Sequence, residues 1–167
     1  MKKLSAVRLA RCGIIAALYA ALCYVFAPFS YHGLEFRVSE CLTVLPLFYW
    51  EAIPGLTIGC FLANLLSTPL DMVFGPVASL IAALLTYFAG KYIKNKVGKV
   101  VLGEMPPIIV NAIVVPFTYL ALTELKEAYF IEAAKVGLGQ LTVIAVLGSL
   151  LYFAVERLRK RNISCML

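Results

Sequence analysis

The chain has 167 residues, of which 62% are hydrophobic and only 14% are charged, with a formal net charge of +6. Soluble domains carry about 25% charged residues, so this composition predicts a single integral membrane domain over residues 1–167, with no separate soluble part. The sequence contains no P-loop, zinc-protease or nucleophile-elbow motif, and its cysteines and lone histidine predict no metal site. We therefore expect no catalytic residue, no cofactor and no metal.

Apolar runs of about membrane length predict an all-α membrane protein with six transmembrane helices. Ser39 is expected to cap the second helix, and Pro106 and Pro107 are expected to open the fifth, because proline is tolerated in a first turn. The predicted helices cover about 8–29, 39–50, 52–68, 71–93, 105–123 and 133–157.

Small residues recur every four positions along the first helix and predict a flat face on which another helix can approach closely. That face either packs within the same bundle or docks a separate membrane subunit. Its residues are Gly13, Ala16, Ala17, Ala20 and Ala21.

Basic residues are concentrated in the N-terminal tail, in the segment 91–99 and in the C-terminal tail. Their positions beside apolar spans indicate membrane orientation and not nucleic-acid binding, and the positive-inside rule places all three segments in the cytoplasm. An even number of helices puts both termini there. The outer side then holds the segments around residues 35–40, 71 and 124–132.

Charged side chains beside a membrane span are costly unless they face water, a partner or a ligand. Those near the predicted outer side suggest a cavity that opens outward, whereas the inner half of the bundle has almost nothing polar. The candidate ligand-binding residues are Glu35, Phe36, Arg37, Glu40, Asn64, Asp71, Asn111 and Gln140.

Each candidate also has a purely structural interpretation. Arg37 and Glu40 are three residues apart and are able to pair on one helix turn, and Asp71 is able to cap a helix. Asn64 and Asn111 fit interhelical hydrogen bonds, which contribute about 0.6 kcal/mol on average in membranes. Phe36 belongs either to an interfacial aromatic belt or to a ring stacked on a planar ligand.

Several segments together resemble the QueT family, the queuosine-precursor substrate-binding subunits (S-components) of energy-coupling factor (ECF) transporters. The resemblance runs from the first helix to the last and depends on the order and spacing of these segments. They are Phe36–Pro46, Glu51–Gly55, Gly59–Leu66, Asp71–Gly75, Pro106–Ala112 and Val136–Gly139.

The resemblance implies a six-helix S-component in a bacterial plasma membrane that binds a scarce nutrient on its outer side. It also implies partners, namely a transmembrane coupling protein and two cytoplasmic ATPases, so that ATP hydrolysis occurs outside this chain. S-components carry an Ala-x-x-x-Ala pattern on the first helix that docks on the coupling protein. Here Ala16 and Ala20, or Ala17 and Ala21, match that pattern.

The implied ligand is a 7-deazaguanine base, the aminomethyl form or a related one. Carboxylates of Glu35, Glu40 and Asp71 suit its N–H donors and its ammonium group. Asn64, Asn111 and Gln140 are able to complete a hydrogen-bonding edge, and an aromatic ring such as that of Phe36 is able to close over the base. The family pattern places an acidic residue after Gly-Leu-Gly, where this chain has Gln140.

Three alternatives to a queuosine-precursor S-component remain open at this point. They are an S-component for another small nutrient, a stand-alone secondary carrier, and an enzyme. The enzyme has the least support, because no residue supplies a nucleophile or a metal ligand set. A carrier would transport without a partner, and an enzyme would turn its ligand over.

Overall fold

A computed structural model describes residues 6–27, 37–67, 69–120 and 128–164, and all the regular structure in these ranges is helical, as predicted. A 3-10 helix, Val38–Leu47, lies between the first two α-helices, and a short 3-10 turn, Asn64–Leu66, follows the second. A π-helical segment, Ile144–Gly148, joins the last two. The α-helices are α1 (Ala6–Val25), α2 (Ala52–Ala63), α3 (Pro69–Tyr92), α4 (Lys96–Leu120), α5 (Ala128–Val143) and α6 (Ser149–Ser164).

Length separates the helices into two groups. Four segments are long and apolar enough to cross a membrane: Ala6–Val25, Pro69–Tyr92, Lys96–Thr118 and Tyr129–Arg161. Val38–Leu47 and α2 are apolar but shorter. At 1.5 Å per residue the 12 residues of α2 extend about 18 Å, against about 30 Å for the hydrocarbon core of a bilayer. Six full spans therefore remain a prediction.

The start of α4 differs from the predicted fifth helix. The helix begins at Lys96, so the segment taken for a basic loop is partly helical and Pro106 and Pro107 lie inside the helix. Proline at position 107 cannot donate to the carbonyl of Gly103, four residues earlier. The buried hydroxyl of Thr86 on α3 donates to that carbonyl at 3.0 Å. A neighbouring helix thus satisfies the group that the proline leaves unpaired.

The second predicted helix is also different. It is a 3-10 helix that ends at Leu47, and its N-cap residue is Arg37, with no side-chain capping bond. Ser39 does not cap it, because it is already the second residue of the helix, and its hydroxyl accepts a 3.0 Å hydrogen bond from the thiol of Cys23. Pro46 lies one residue before the end of this helix. Because proline has no backbone N–H to donate, it disfavours a longer helix here.

Two glycines bring α1 and α2 into close contact. A Cβ atom on Gly59 would lie 2.7 Å from the Cβ of Tyr19 and 2.9 Å from the carbonyl oxygen of Ala16. A Cβ on Gly55 would lie 3.0 Å from that of Ile15. Without side chains at these positions the two backbones approach closely, as small residues permit in membrane helix pairs.

The basic segments meet at one end of the bundle. The ring of Tyr49 lies between two guanidinium groups, 4.8 Å from the Cζ of Arg11 and 6.0 Å from that of Arg159. Lys96 at the start of α4 pairs with Glu156 of α6 at 3.2 Å. The start of α1, the start of α4 and the C-terminal part of α6 therefore share one end, which we call the basic end.

Candidate functional site

Three buried polar residues lie in line on α4. Glu104, Asn111 and Thr118 are seven residues apart, and their exposed fractions are 6%, 5% and 4%. Seven residues make about two helical turns, so these side chains share one face at intervals of about 10 Å. Each of them forms a hydrogen bond with a different polar group of the bundle. The three groups therefore lie at three successive distances from the basic end.

The middle position carries the most complete arrangement. The carboxylate of Glu40 accepts a 2.5 Å hydrogen bond from the hydroxyl of Tyr19 at Oε1 and a 3.3 Å bond from Nδ2 of Asn111 at Oε2. Glu40 is 2% exposed, and its partners belong to α1 and α4. A buried carboxylate is strongly destabilising unless hydrogen-bond donors surround it, and Tyr19 and Asn111 supply such donors here.

Two further side chains complete this group. Gln140 of α5 interacts with the Glu40 carboxylate, and the positive charge of Arg37 acts on it electrostatically. Among the described residues, the buried Oε1 atom of Gln140 has no hydrogen-bond partner. Leaving a buried acceptor unsatisfied costs about 1–3 kcal/mol, so this atom suits an N–H donor from a ligand. We call the set Tyr19, Arg37, Glu40, Asn111 and Gln140 the Glu40 cluster.

A second group surrounds Asp71 in the first turn of α3. Its Oδ1 accepts from the hydroxyl of Thr118 at 2.8 Å, and its Oδ2 accepts from the hydroxyl of Ser67 at 2.9 Å. Nδ2 of Asn64 donates to the backbone carbonyl of Asp71 at 3.2 Å. These bonds connect the end of α2 to α3 and α4. Most of the hydrogen-bonding groups around Asp71 therefore already have a structural role.

The position nearest the basic end differs from the sequence prediction. Glu104 is buried, and its carboxylate accepts from the hydroxyl of Ser149 at 3.3 Å. Ser149 directly follows the π-helical segment. The inner half of the bundle was expected to be almost apolar, and this carboxylate corrects that expectation. The sequence analysis did not single out Glu104 or Thr118, although both lie seven residues from Asn111, and this spacing was a signal that could have found them.

The small-residue face of α1 divides into two rows. Ala16 and Ala20 are 5% and 8% exposed and lie inside the bundle. Ala17 and Ala21 are exposed, and no described residue lies within 4 Å of a Cβ added to Gly13 on the same row. Ala16 and Ala20 therefore pack within the bundle, whereas the row of Ala17 and Ala21 is exposed, and the docking role of either pair stays a prediction.

The structure thus brings Glu40, Asn111, Gln140 and Arg37 together and places Asp71 and Asn64 in a separate group. Glu35 and Phe36 lie outside the described residues. Tyr19 was missed by the sequence analysis, although a tyrosine in an otherwise alanine-rich, charge-free span was a signal for a polar partner.

These features define a class before any comparison. The regular structure of the described residues is all helical and includes four segments of membrane-spanning length, so the chain is a multi-pass membrane protein. A profile of the family described as "QueT transporter" matches residues 9–157, and the chain belongs to that family.

A curated relative, "Queuosine precursor transporter QueT" of Lactococcus lactis subsp. cremoris (strain MG1363), is 36% identical over 84 residues. The aligned region covers 48% of this chain and 50% of that protein, so the match spans about half of the relative's length. No solved structure matches the chain significantly.

Proposed function

We propose that the chain is the substrate-binding membrane subunit of an ECF-type, ATP-driven importer, and that it captures a queuosine precursor. Membership of the QueT transporter family and the name of the Lactococcus lactis relative support transport of this substrate class. The observation that carries the proposal is the Glu40 cluster, in which a buried carboxylate lies beside Oε1 of Gln140, an atom with no hydrogen-bond partner in the part of the chain that the structure describes.

The chemistry of this cluster suits a 7-deazaguanine base. The pyrimidine edge of such a base presents adjacent N–H donors, which a carboxylate accepts well. The two oxygens of Glu40 have about four lone pairs between them and accept hydrogen bonds from Tyr19, Asn111 and Gln140, so the carboxylate is able to accept a further N–H donor from a ligand. Oε1 of Gln140 is a further acceptor. The protonated aminomethyl group would pair with a second carboxylate, for which Glu35 and Asp71 are the candidates.

The depth of the cluster agrees with access from the side opposite the basic end. From Lys96 to Asn111 is fifteen residues along α4, which corresponds to about 22 Å of helix. If the basic end is cytoplasmic, as the positive-inside rule requires, Glu40 lies in the outer half of the bundle. Both termini are then cytoplasmic, as expected for six spans. We propose that the segment 28–36, which precedes Arg37 in the sequence, closes over a bound base.

The exposed row on α1 is the proposed docking face. Ala17 and Ala21 lie four residues apart on the same row as Gly13, and all three are exposed. Small residues at this spacing let a second membrane helix approach closely. We propose that the transmembrane coupling protein packs here and that two cytoplasmic ATPases drive it, because this sequence contains no nucleotide-binding motif.

Substrate binding is tested by calorimetric titration of the purified full chain with 7-aminomethyl-7-deazaguanine, its nitrile precursor and guanine. We expect tight, saturable binding of one or both deazaguanines and much weaker binding of guanine. If the folded chain binds none of them, the substrate assignment is wrong, and an S-component for another nutrient becomes the best interpretation.

A stand-alone carrier is the second candidate, and the buried Glu104 favours it. Intramembrane carboxylates occur in proton relays of transporters, and Glu104 lies between the Glu40 cluster and the basic end. Vesicles that contain only this chain, with an ion gradient, separate the candidates. The proposed subunit takes up no base without its partners. A carrier takes up the base alone, driven by the gradient, and loses this uptake in Glu104→Gln.

A further inference from the structure

A cavity of about 250 Å³ opens at the basic end, away from the Glu40 cluster. It lies between the end of the 3-10 helix, the connection from α3 to α4 and the C-terminal part of α6. Four of its lining residues are cations, and one is an acid: Lys94, Lys96, Lys99, Arg159 and Glu156.

The charges of this cavity do not balance. Glu156 pairs with Lys96 at 3.2 Å and also with Lys160 at 3.3 Å, so its single negative charge is shared between two lysines. Lys94, Lys99 and Arg159 add three positive charges around the same space. Like charges that converge on one cavity repel each other, and a bound anion relieves that repulsion.

The walls of the cavity are held in place by aromatic packing. The rings of Phe48 and Tyr152 are 4.9 Å apart, and the guanidinium Cζ of Arg159 lies 5.9 Å from the centre of the Phe48 ring. Tyr152 is 3% exposed. Arg159 is exposed, and its guanidinium lies over the Phe48 ring, so it loses less freedom on binding an anion than a surface lysine without such a contact does.

Membrane orientation alone does not require this arrangement. The positive-inside rule depends on the number of basic residues near the ends of spans and not on whether they meet. Here residues from the α3–α4 connection, α4 and α6 surround one cavity. The candidate spans Lys96–Thr118 and Tyr129–Arg161 both have an end at this level, which is where lipid headgroups lie.

We propose that this cavity binds a phosphate group. The two sources at a membrane surface are the headgroup of an anionic phospholipid and free phosphate. Lys94, Lys99 and Arg159 supply the charge, and the Phe48–Tyr152 pair supports the apolar side of the cavity. The site does not depend on the identity of the imported substrate.

The test is thermal unfolding of the purified full chain in an uncharged detergent. Phosphatidylglycerol, phosphatidylcholine and inorganic phosphate are added separately at equal ionic strength. A ligand that binds only the folded protein raises the unfolding temperature. The paired variant K94Q/K99Q removes two cations of the cavity, and the control K91Q/R157Q removes two exposed cations that do not line it.

We expect phosphatidylglycerol, inorganic phosphate or both to stabilise the protein, and phosphatidylcholine to have no effect. In K94Q/K99Q the concentration needed for half of the effect rises about tenfold or more, while K91Q/R157Q matches the unmodified chain. Comparison of the stabilisation by phosphatidylglycerol with that by inorganic phosphate shows whether the phosphate comes from a lipid headgroup or from free phosphate. No stabilisation by either, or an equal loss in both variants, overturns the proposal.

Discussion

The hydroxyl of Tyr19 donates a 2.5 Å hydrogen bond to Oε1 of Glu40 and joins the middle of α1 to the 3-10 helix. Both residues are buried, at 1% and 2% exposure. The bond fixes the carboxylate that the proposed site depends on, and it does so from a helix that also presents the proposed docking row. Under the proposed function, ligand binding and the position of α1 would thus be connected through one side-chain contact.

Removing this donor is the first prediction. Tyr19→Phe is expected to lower the free energy of unfolding by about 1.5–3 kcal/mol, because it leaves a buried charged acceptor with one donor fewer. It is also expected to weaken base binding. The measurements are denaturant unfolding in detergent and calorimetric titration.

Tyr24→Phe is the matched control for that variant. The hydroxyl of Tyr24 donates to the carbonyl of Leu62 at 2.7 Å in an exposed position, where water or detergent headgroups replace the bond. We expect a smaller loss of stability and unchanged base binding. Equal effects of the two substitutions would mean that the Tyr19–Glu40 bond has no special role.

The second prediction concerns the proline-containing part of α4. Thr86→Val removes the hydroxyl that donates to the Gly103 carbonyl, which Pro107 leaves without its helical donor. The expected loss is about 1–3 kcal/mol of unfolding free energy, the cost of an unsatisfied buried group. Base affinity should not change, because Thr86 is not part of the Glu40 cluster.

Thr142→Val provides the comparison on α5. The Thr142 hydroxyl donates to the carbonyl of Leu138 at 2.8 Å, on an exposed helix face without a proline four residues after Leu138. That carbonyl keeps its backbone donor, so the substitution should be nearly neutral. If Thr86→Val proves as mild as Thr142→Val, the proposed compensation for Pro107 is incorrect.

The third prediction compares two glycines in the helices of the α1–α2 pair. Gly59→Ala places a methyl group 2.7 Å from the Cβ of Tyr19 and 2.9 Å from the Ala16 carbonyl, so α1 and α2 must separate. Forcing extra volume into a packed site costs about 1–3 kcal/mol. Gly13→Ala meets no atom within 4 Å and should raise stability by up to about 1 kcal/mol through helix propensity.

Unfolding midpoints of the two glycine variants provide the check, and their shifts should have opposite signs. Base affinity should fall in Gly59→Ala, because displacement of Tyr19 disturbs the Glu40 carboxylate. A stabilised Gly59→Ala variant would contradict the close α1–α2 contact.

The fourth prediction separates the two rows of small residues on α1. Ala17→Leu alters the exposed row and should leave folding and base binding intact, while it blocks association with the coupling protein. Ala16→Leu alters the buried row and should destabilise the fold itself by about 1–3 kcal/mol through overpacking. Co-purification with the coupling protein and titration with the base measure the two effects. If the Ala17→Leu variant associates normally with the coupling protein, the exposed row is not part of the interface.

The sequence was sufficient for the helical class, because apolar runs are local signals. It also singled out polar residues that the structure buries, namely Glu40, Asn64, Asn111 and Gln140, while their role as ligand contacts stays a prediction. The start of α4 was missed for a physical reason. Pro106 and Pro107 ordinarily mark a boundary, and the hydroxyl that stabilises an internal Pro107 comes from Thr86 on another helix. No local pattern contains that contact.

Grouping of the site residues was equally out of reach. Asn111 and Glu40 are 71 positions apart, and only packing brings them together. The sequence also treated Ala16 and Ala17 as equivalent, since both have a small residue four positions later. Their burial, which depends on where α2 lies, distinguishes them.

The central claim is that the Glu40 carboxylate holds the imported base. Its most direct test is calorimetric titration of Glu40→Gln with 7-aminomethyl-7-deazaguanine, alongside Glu132→Gln as a control with the same chemical change. Glu132 pairs with Lys135 at 2.7 Å, near the start of α5, outside the cluster. We predict that Glu40→Gln weakens binding about thirtyfold or more, from a loss of at least about 2 kcal/mol, while Glu132→Gln binds normally. A folded Glu40→Gln variant with unchanged affinity would contradict the account.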